Sequence, residues 1–147
     1  QMCIRDRCGY TPFDGAEYDY YTTTKGILEK VKTHAGDVDF EVQPELLSLF
    51  SNRDFGRYAG EKGEMNVCFI SNNDITGGNS GSAMFNARGE LLGLAFDGNW
   101  EAMSSDILYE PKMQRCIGVD VRYILFMIEK YGKAGDLIRE LKIVSGK

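Results

Sequence analysis

Apolar and polar positions change their spacing several times along the chain, and each change marks an element. Val67-Cys68-Phe69-Ile70 is a continuous apolar run of strand length, as expected of a short buried strand. A polar, glycine-rich stretch follows it, from Ser71 to Gly81. Ser82 to Phe85 and Glu90 to Phe96 read as two strands, joined by the hairpin turn Asn86-Ala87-Arg88-Gly89. Cys116 to Val119 is another short strand. Asp120 is placed to cap a helix over Val121 to Tyr131, which Gly132 ends, and a second helix covers Asp136 to Lys142.

The first part of the chain is less regular. Gly9 to Thr24 is aromatic and polar, and its run Thr22-Thr23-Thr24 favours extended backbone. Ile27 to Val31 is a short apolar stretch before a charged loop through Asp39. Leu46, Leu47 and Phe50 fall at helical spacing after Pro44, and Asn52 to Gly63 is rich in turn residues. The sum predicts a mostly β fold with C-terminal helices, a β-barrel half with a helical tail.

Composition narrows the function. Hydrophobic residues make up 43% of the 147 positions and charged residues 27%, which suits a packed core. The net charge is -5, and Lys and Arg are scattered, which argues against a nucleic-acid or anionic-membrane surface. The longest apolar stretch, Tyr123 to Ile128, is far too short to span a membrane. Met2-Cys3-Ile4-Arg5-Asp6 is what a common transposon-end sequencing adaptor encodes in one frame, so residues 1–7 are expected to be foreign. Cys8, Cys68 and Cys116 then remain, at spacings of neither a zinc site nor a disulfide framework. Cys68 and Cys116 sit in strand-like runs as buried thiols by default, with a bridge between them left open. No metal or cofactor is expected.

Gly77-Gly78-Asn79-Ser80-Gly81-Ser82 is where chemistry is expected. A serine hydroxyl is a weak nucleophile and must sit on a tight, exposed turn, with backbone N–H groups aimed at the developing oxyanion. Glycines two before and one after Ser80 permit that backbone. In a chymotrypsin-like arrangement the hole is formed by the N–H groups of Gly78 and Ser80. An α/β-hydrolase elbow is excluded because Ser82 stands where that motif needs glycine.

The stretches Asn72 to Ser82, Asn86 to Leu91 and Ala95 to Met103 resemble the bacterial dipeptidyl-peptidase 7/11 family. So do Gly9 to Phe13, Tyr20 to Thr23, Glu110-Pro111, Gln114-Arg115 and Val119 to Tyr123. The resemblance implies the C-terminal barrel half of a chymotrypsin-like double-barrel serine exopeptidase, periplasmic or secreted and able to form a homodimer. Its substrates would be peptides with free N-termini, from which it releases dipeptides. Ser80 maps onto the nucleophile, whereas the histidine and aspartate partners belong to an N-terminal barrel that precedes it. Residues 8–147 are thus expected to be the C-terminal part of a larger catalytic domain. The single histidine, His34, lies between Lys32 and Asp37 and reads as a solvated loop residue. Two positions depart from the usual pattern. Ala83 stands where the family has proline, and Thr76 where secreted trypsin-like enzymes have cysteine.

The resemblance also implies specificity residues in Phe96-Asp97-Gly98. Asp97 would hold the substrate's α-ammonium, although Asp-Gly is equally a common turn pair. Family members that cleave after acidic residues carry arginine at position 98. Gly98 supplies no charge and leaves room, which implies a preference for apolar side chains at the second residue of the substrate. Asp74, six residues before Ser80, lies where trypsin selects basic residues, but is read here as a loop-organising acceptor. Two other readings stay open, a trypsin-like endopeptidase of the protein-quality-control type and a catalytically inactive β binding module.

Overall fold

The computed structural model describes residues 9–10, 17–60, 63–105, 107–110 and 112–144. Residues 1–7, read above as foreign, lie outside them, as does Cys8. Among the described residues there are seven strands, β1 (Gly9–Tyr10), β2 (Glu17–Tyr18), β3 (Tyr21–Thr23), β4 (Asn66–Ser71), β5 (Ala83–Phe85), β6 (Leu91–Gly98) and β7 (Cys116–Asp120). The helices are α1 (Thr24–Thr33), α2 (Pro44–Ser51), α3 (Val121–Phe126) and α4 (Gly135–Arg139). Strands β1 and β2 form an antiparallel pair, and the other five form a sheet in the order β3-β4-β7-β6-β5. The chain divides into two compact units, Gln1–Thr22 with Val67–Val121, and Thr23–Asn66 with Arg122–Lys147.

In the first unit the expected hairpin forms between β5 and β6. Asn86 closes it, its Oδ1 accepting the N–H groups of Arg88 at 2.9 Å and Glu90 at 3.0 Å. Gly89 takes the left-handed φ of +75° that the turn requires. Arg88 pairs with Glu90 at 2.6 Å, and this bond, with a second from Asn86, holds the Glu90 carboxyl below its ordinary pKa. Strand β7 runs antiparallel to both β4 and β6. Its Ile117 is fully buried and Cys116 is nearly so, opposite Ile70 and Ser71 of β4, whose Val67 and Cys68 are buried as well. Cys68 and Cys116 are both buried thiols, and burial pushes the Cys116 thiol pKa up.

Close packing across β6 and β7 needs glycine at two places. A β-carbon on Gly93 would lie 2.0 Å from the Val119 carbonyl oxygen, and one on Gly118 would lie 2.6 Å from Met84 Sδ. The first obstacle is backbone and cannot swing away. Gly93→Ala should therefore destabilise the fold by about 1–3 kcal/mol or more, read as a lower urea midpoint. A midpoint equal to that of the parent would mean the strands can separate without loss.

The second unit is built around an aromatic cluster. Phe126 is fully buried, with Phe50, Phe55, Tyr58 and Tyr123 at centroid distances of 6.1 to 6.5 Å. Arg57 donates to both carboxylate oxygens of Glu129, and the Tyr58 hydroxyl donates to the same group. These contacts, the Tyr58 bond foremost, lower the Glu129 pKa.

Several boundaries differ from the sequence reading. The helix expected over Val121 to Tyr131 is α-helical only to Phe126, and Met127–Tyr131 is a π turn closed by Gly132 N–H donating to Met127 O at 2.7 Å. Asp120, expected as its cap, is the buried last residue of β7 and stands directly before α3. The final helix is shorter, Gly135–Arg139. Helix α1 was not anticipated. The extended backbone expected of the threonine run holds for Thr22 and Thr23 in β3, but Thr24 opens the helix, in which Ile27, Leu28 and Val31 carry helical spacing and Ile27 is buried.

Candidate active site

Ser80 sits on the connection from β4 to β5, exposed, on a turn whose backbone only glycine accepts easily. Gly78 has φ +96° and Gly81 φ +88°, both left-handed. Asn79 organises the turn. Its Oδ1 accepts from Thr76 N at 2.9 Å and Thr76 Oγ1 at 3.3 Å, and its own N–H donates to Thr76 O at 3.2 Å. This is the role the sequence reading gave to Asp74, which instead lines a separate cavity of about 290 Å³ with Asn79, Ser82 and Phe85.

The turn is stitched to β6. Gly81 N–H donates to Ala95 O at 2.7 Å, and Ala95 N–H donates to Ser82 O at 2.9 Å. Immediately beyond, β6 bulges against β7. Ala95 faces Gly118 and Asp97 faces Ile117, so Phe96 is the extra residue. Its carbonyl accepts the Ser80 hydroxyl at 3.3 Å. The bulge thus turns a backbone acceptor towards the serine.

A cleft of about 240 Å³ opens beside Ser80. Its lining includes Ser80 with Phe96, Asp97 and Gly98, whereas Gly78, also singled out from the sequence, is not part of it. Asp97 is half-buried, and its Oδ1 accepts the Gly98 N–H at 2.8 Å. That local bond fixes the carboxylate, which retains further lone pairs for a ligand. Here the turn reading and the binding reading of Asp97 are compatible. For Gly98 the expectation of open room needs correction. A β-carbon there would lie 2.9 Å from Ala102 Cβ and 3.5 Å from Ile75 Cγ2, so the room lies in the cleft that Gly98 lines and not where its own side chain would start.

His34 caps the C-terminal end of α1 in the second unit. Its ring stacks on Phe40 at 4.2 Å, and Nδ1 lies 3.1 Å from Lys30 O and 3.0 Å from Thr33 Oγ1. These are local helix-end contacts. The sequence reading missed Ile75, Ala102, Met103 and Ser105 of the cleft lining. Three of them belong to a short 3-10 turn, Trp100–Ser104, and the residue after it, where no periodicity signals which side chains face inward.

A serine on a glycine-framed turn, fastened to an antiparallel sheet at the mouth of a cleft, is the arrangement of a hydrolase. Comparison with known families agrees, since the Peptidase S46 model matches residues 6–143 and the chain belongs to that family. It is 58% identical over 138 residues to dipeptidyl-peptidase 7 of Porphyromonas endodontalis, covering 94% of this chain and 16% of that protein. It is 46% identical over 136 residues to the Asp/Glu-specific dipeptidyl-peptidase of Capnocytophaga gingivalis, covering 92% of this chain and 19% of that one. The crystal structure of Porphyromonas endodontalis DPP11 in complex with the dipeptide Arg-Asp superposes with a TM-score of 0.85 at 42% identity, over 92% of this chain and 19% of the other. The chain therefore spans less than a fifth of the length of these relatives.

Proposed function

We propose that this chain is the nucleophile-bearing segment of a longer serine-type dipeptidyl-peptidase, which releases dipeptides from free peptide N-termini. The observation that carries the reading is the position of Ser80, with its hydroxyl at the Phe96 carbonyl and a carboxylate, Asp97, in the same cleft. In this scheme Ser80 Oγ attacks the scissile carbonyl carbon while a base from elsewhere in the polypeptide takes its proton. The N–H groups of Gly78 and Ser80 stabilise the oxyanion. The C–N bond then breaks, the amine leaves with the proton from the base, and water hydrolyses the acyl-enzyme to free the dipeptide.

Asp97 is the partner for the substrate's α-ammonium, which fixes cleavage at the second peptide bond from its binding point. The preference at the second residue is apolar, because Gly98, Ala102 and Ile75 offer no charge there. Relatives named dipeptidyl-peptidase 7 are 49–58% identical to the chain, and those named Asp/Glu-specific 43–46%, which favours the same assignment. Exposed Phe85, Leu91 and Leu92 on β5 and β6 fit a segment that packs against further chain. A periplasmic or secreted location belongs to the same proposal. A trypsin-like endopeptidase reading is disfavoured by Asp74, which does not line the Ser80 cleft.

The test is direct. The 147-residue chain by itself should not hydrolyse dipeptidyl substrates, because His34 is engaged at its own helix end and a lost base costs about four orders of magnitude in rate. A full-length polypeptide carrying the segment should cleave them and spare N-terminally blocked peptides. Robust turnover by the short chain, or preference for blocked peptides by the long one, would refute the proposal.

A further inference from the structure

The cleft beside Ser80 has a floor that the glycine-rich loop does not supply. After Gly98 the chain enters the 3-10 turn Trp100–Ser104, which brings Ala102 against Gly98 and into the cleft lining. Two buried amides hold this turn. Asn99, 3% exposed, accepts Arg115 N–H on Oδ1 at 2.8 Å and donates through Nδ2 to Met113 O and Glu101 Oε2, both at 2.8 Å. Gln114, also 3% exposed, donates through Nε2 to Ser104 Oγ and Leu108 O, both at 3.1 Å, and accepts Glu110 N–H at 2.8 Å. Ser105 Oγ reaches across to Ile75 O at 3.4 Å, tying the turn to the opposite wall. Breaking any bond of a satisfied buried amide strands a polar group, so such a frame moves little.

We propose that Ala102 sets the depth of the pocket for the substrate's second side chain, with Asn99 and Gln114 as positioning residues that keep it there. The identity of the substrate rests on the dipeptidyl-peptidase reading, while the depth rests on the turn itself. Valine at 102 adds two methyl groups in a space where Gly98 already has no room for a β-carbon, so the pocket shortens. Glycine at 102 removes the β-carbon and deepens it. Loss of the amide frame lets the floor move and blurs the distinction between small and large side chains.

The experiment compares kcat/KM for dipeptidyl substrates ending in Ala, Leu and Phe, in the full-length polypeptide carrying this segment. Ala102→Val should lower Leu and Phe by about tenfold or more relative to Ala, mainly through KM, since one or two methylenes discriminate on that scale. Ala102→Gly should move the same ratio the other way, by about three- to tenfold. Asn99→Ala and Gln114→Ala should flatten the ratio, whereas a merely structural role would lower all three substrates alike. Unchanged ratios in both Ala102 variants would overturn the proposal, and if the valine variant does not fold, the glycine variant decides alone. N-blocked amino-acid aldehydes of graded side-chain size separate this result from the dipeptide reading. They add to Ser80 as hemiacetals, the hydroxyl proton ending on the aldehyde oxygen, and need no substrate ammonium. The size ratio should reappear in their inhibition constants even if dipeptidyl substrates are not cleaved, and its absence there would count against Ala102.

Discussion

Ser80→Ala in the full-length polypeptide is expected to lower kcat by about four to six orders of magnitude while leaving substrate affinity nearly intact. The hydroxyl is exposed and its one protein bond is to the Phe96 carbonyl at 3.3 Å, so its removal should not disturb the fold. The turn is held instead by Asn79 on Thr76 and by Gly81 on Ala95. Single-turnover kinetics, together with binding of a dipeptide product, would measure chemistry and affinity separately. A variant that retains a tenth of the parent rate would remove Ser80 from the mechanism. Loss of product binding together with activity would point to a structural role.

Asp97→Asn should cost about 1.5–3 kcal/mol of substrate recognition, the range for a hydrogen bond to a charged group, or roughly ten- to 150-fold in kcat/KM. Asparagine keeps the shape and can still accept the Gly98 N–H that now bonds to Oδ1 at 2.8 Å. The lost element is the negative charge. The penalty should therefore fall on substrates with a free α-ammonium and be small for acetylated ones that bind competitively. Inhibition constants for matched free and acetylated dipeptides give the comparison directly. Equal penalties for both would make Asp97 a turn residue only.

Much of this was legible in the sequence, for identifiable reasons. The strand Val67 to Ile70 and the Asn86–Gly89 hairpin are local patterns, set by apolar runs and turn chemistry, and both formed where expected. The glycines around Ser80 signalled a left-handed turn, and both Gly78 and Gly81 have it. Helix α1 was hidden because two β-branched threonines precede it and a third opens it, and these outweighed the helical spacing of Ile27 and Val31. The floor of the cleft was hidden for a different reason. Ala102 meets Gly98 across a 3-10 turn that Asn99 and Gln114 hold through bonds between residues 10 to 16 apart. No apolar periodicity announces such a contact, so the sequence does not show that Ala102 stands where a β-carbon of Gly98 would be.

The extra residue at Phe96 also makes β6 intolerant of changes in length. Side chains along a strand alternate between faces, and a bulge resets that alternation for everything after it. Asp97 and Gly98 keep their facing because β6 carries one more residue than β7 between Ala95 and Asp97. A single deletion between Gly93 and Phe96 would leave each nearby side chain chemically unaltered, yet rotate the carboxylate out of the cleft and withdraw the carbonyl that receives the Ser80 hydroxyl. In this segment the count of residues carries as much functional information as their identity.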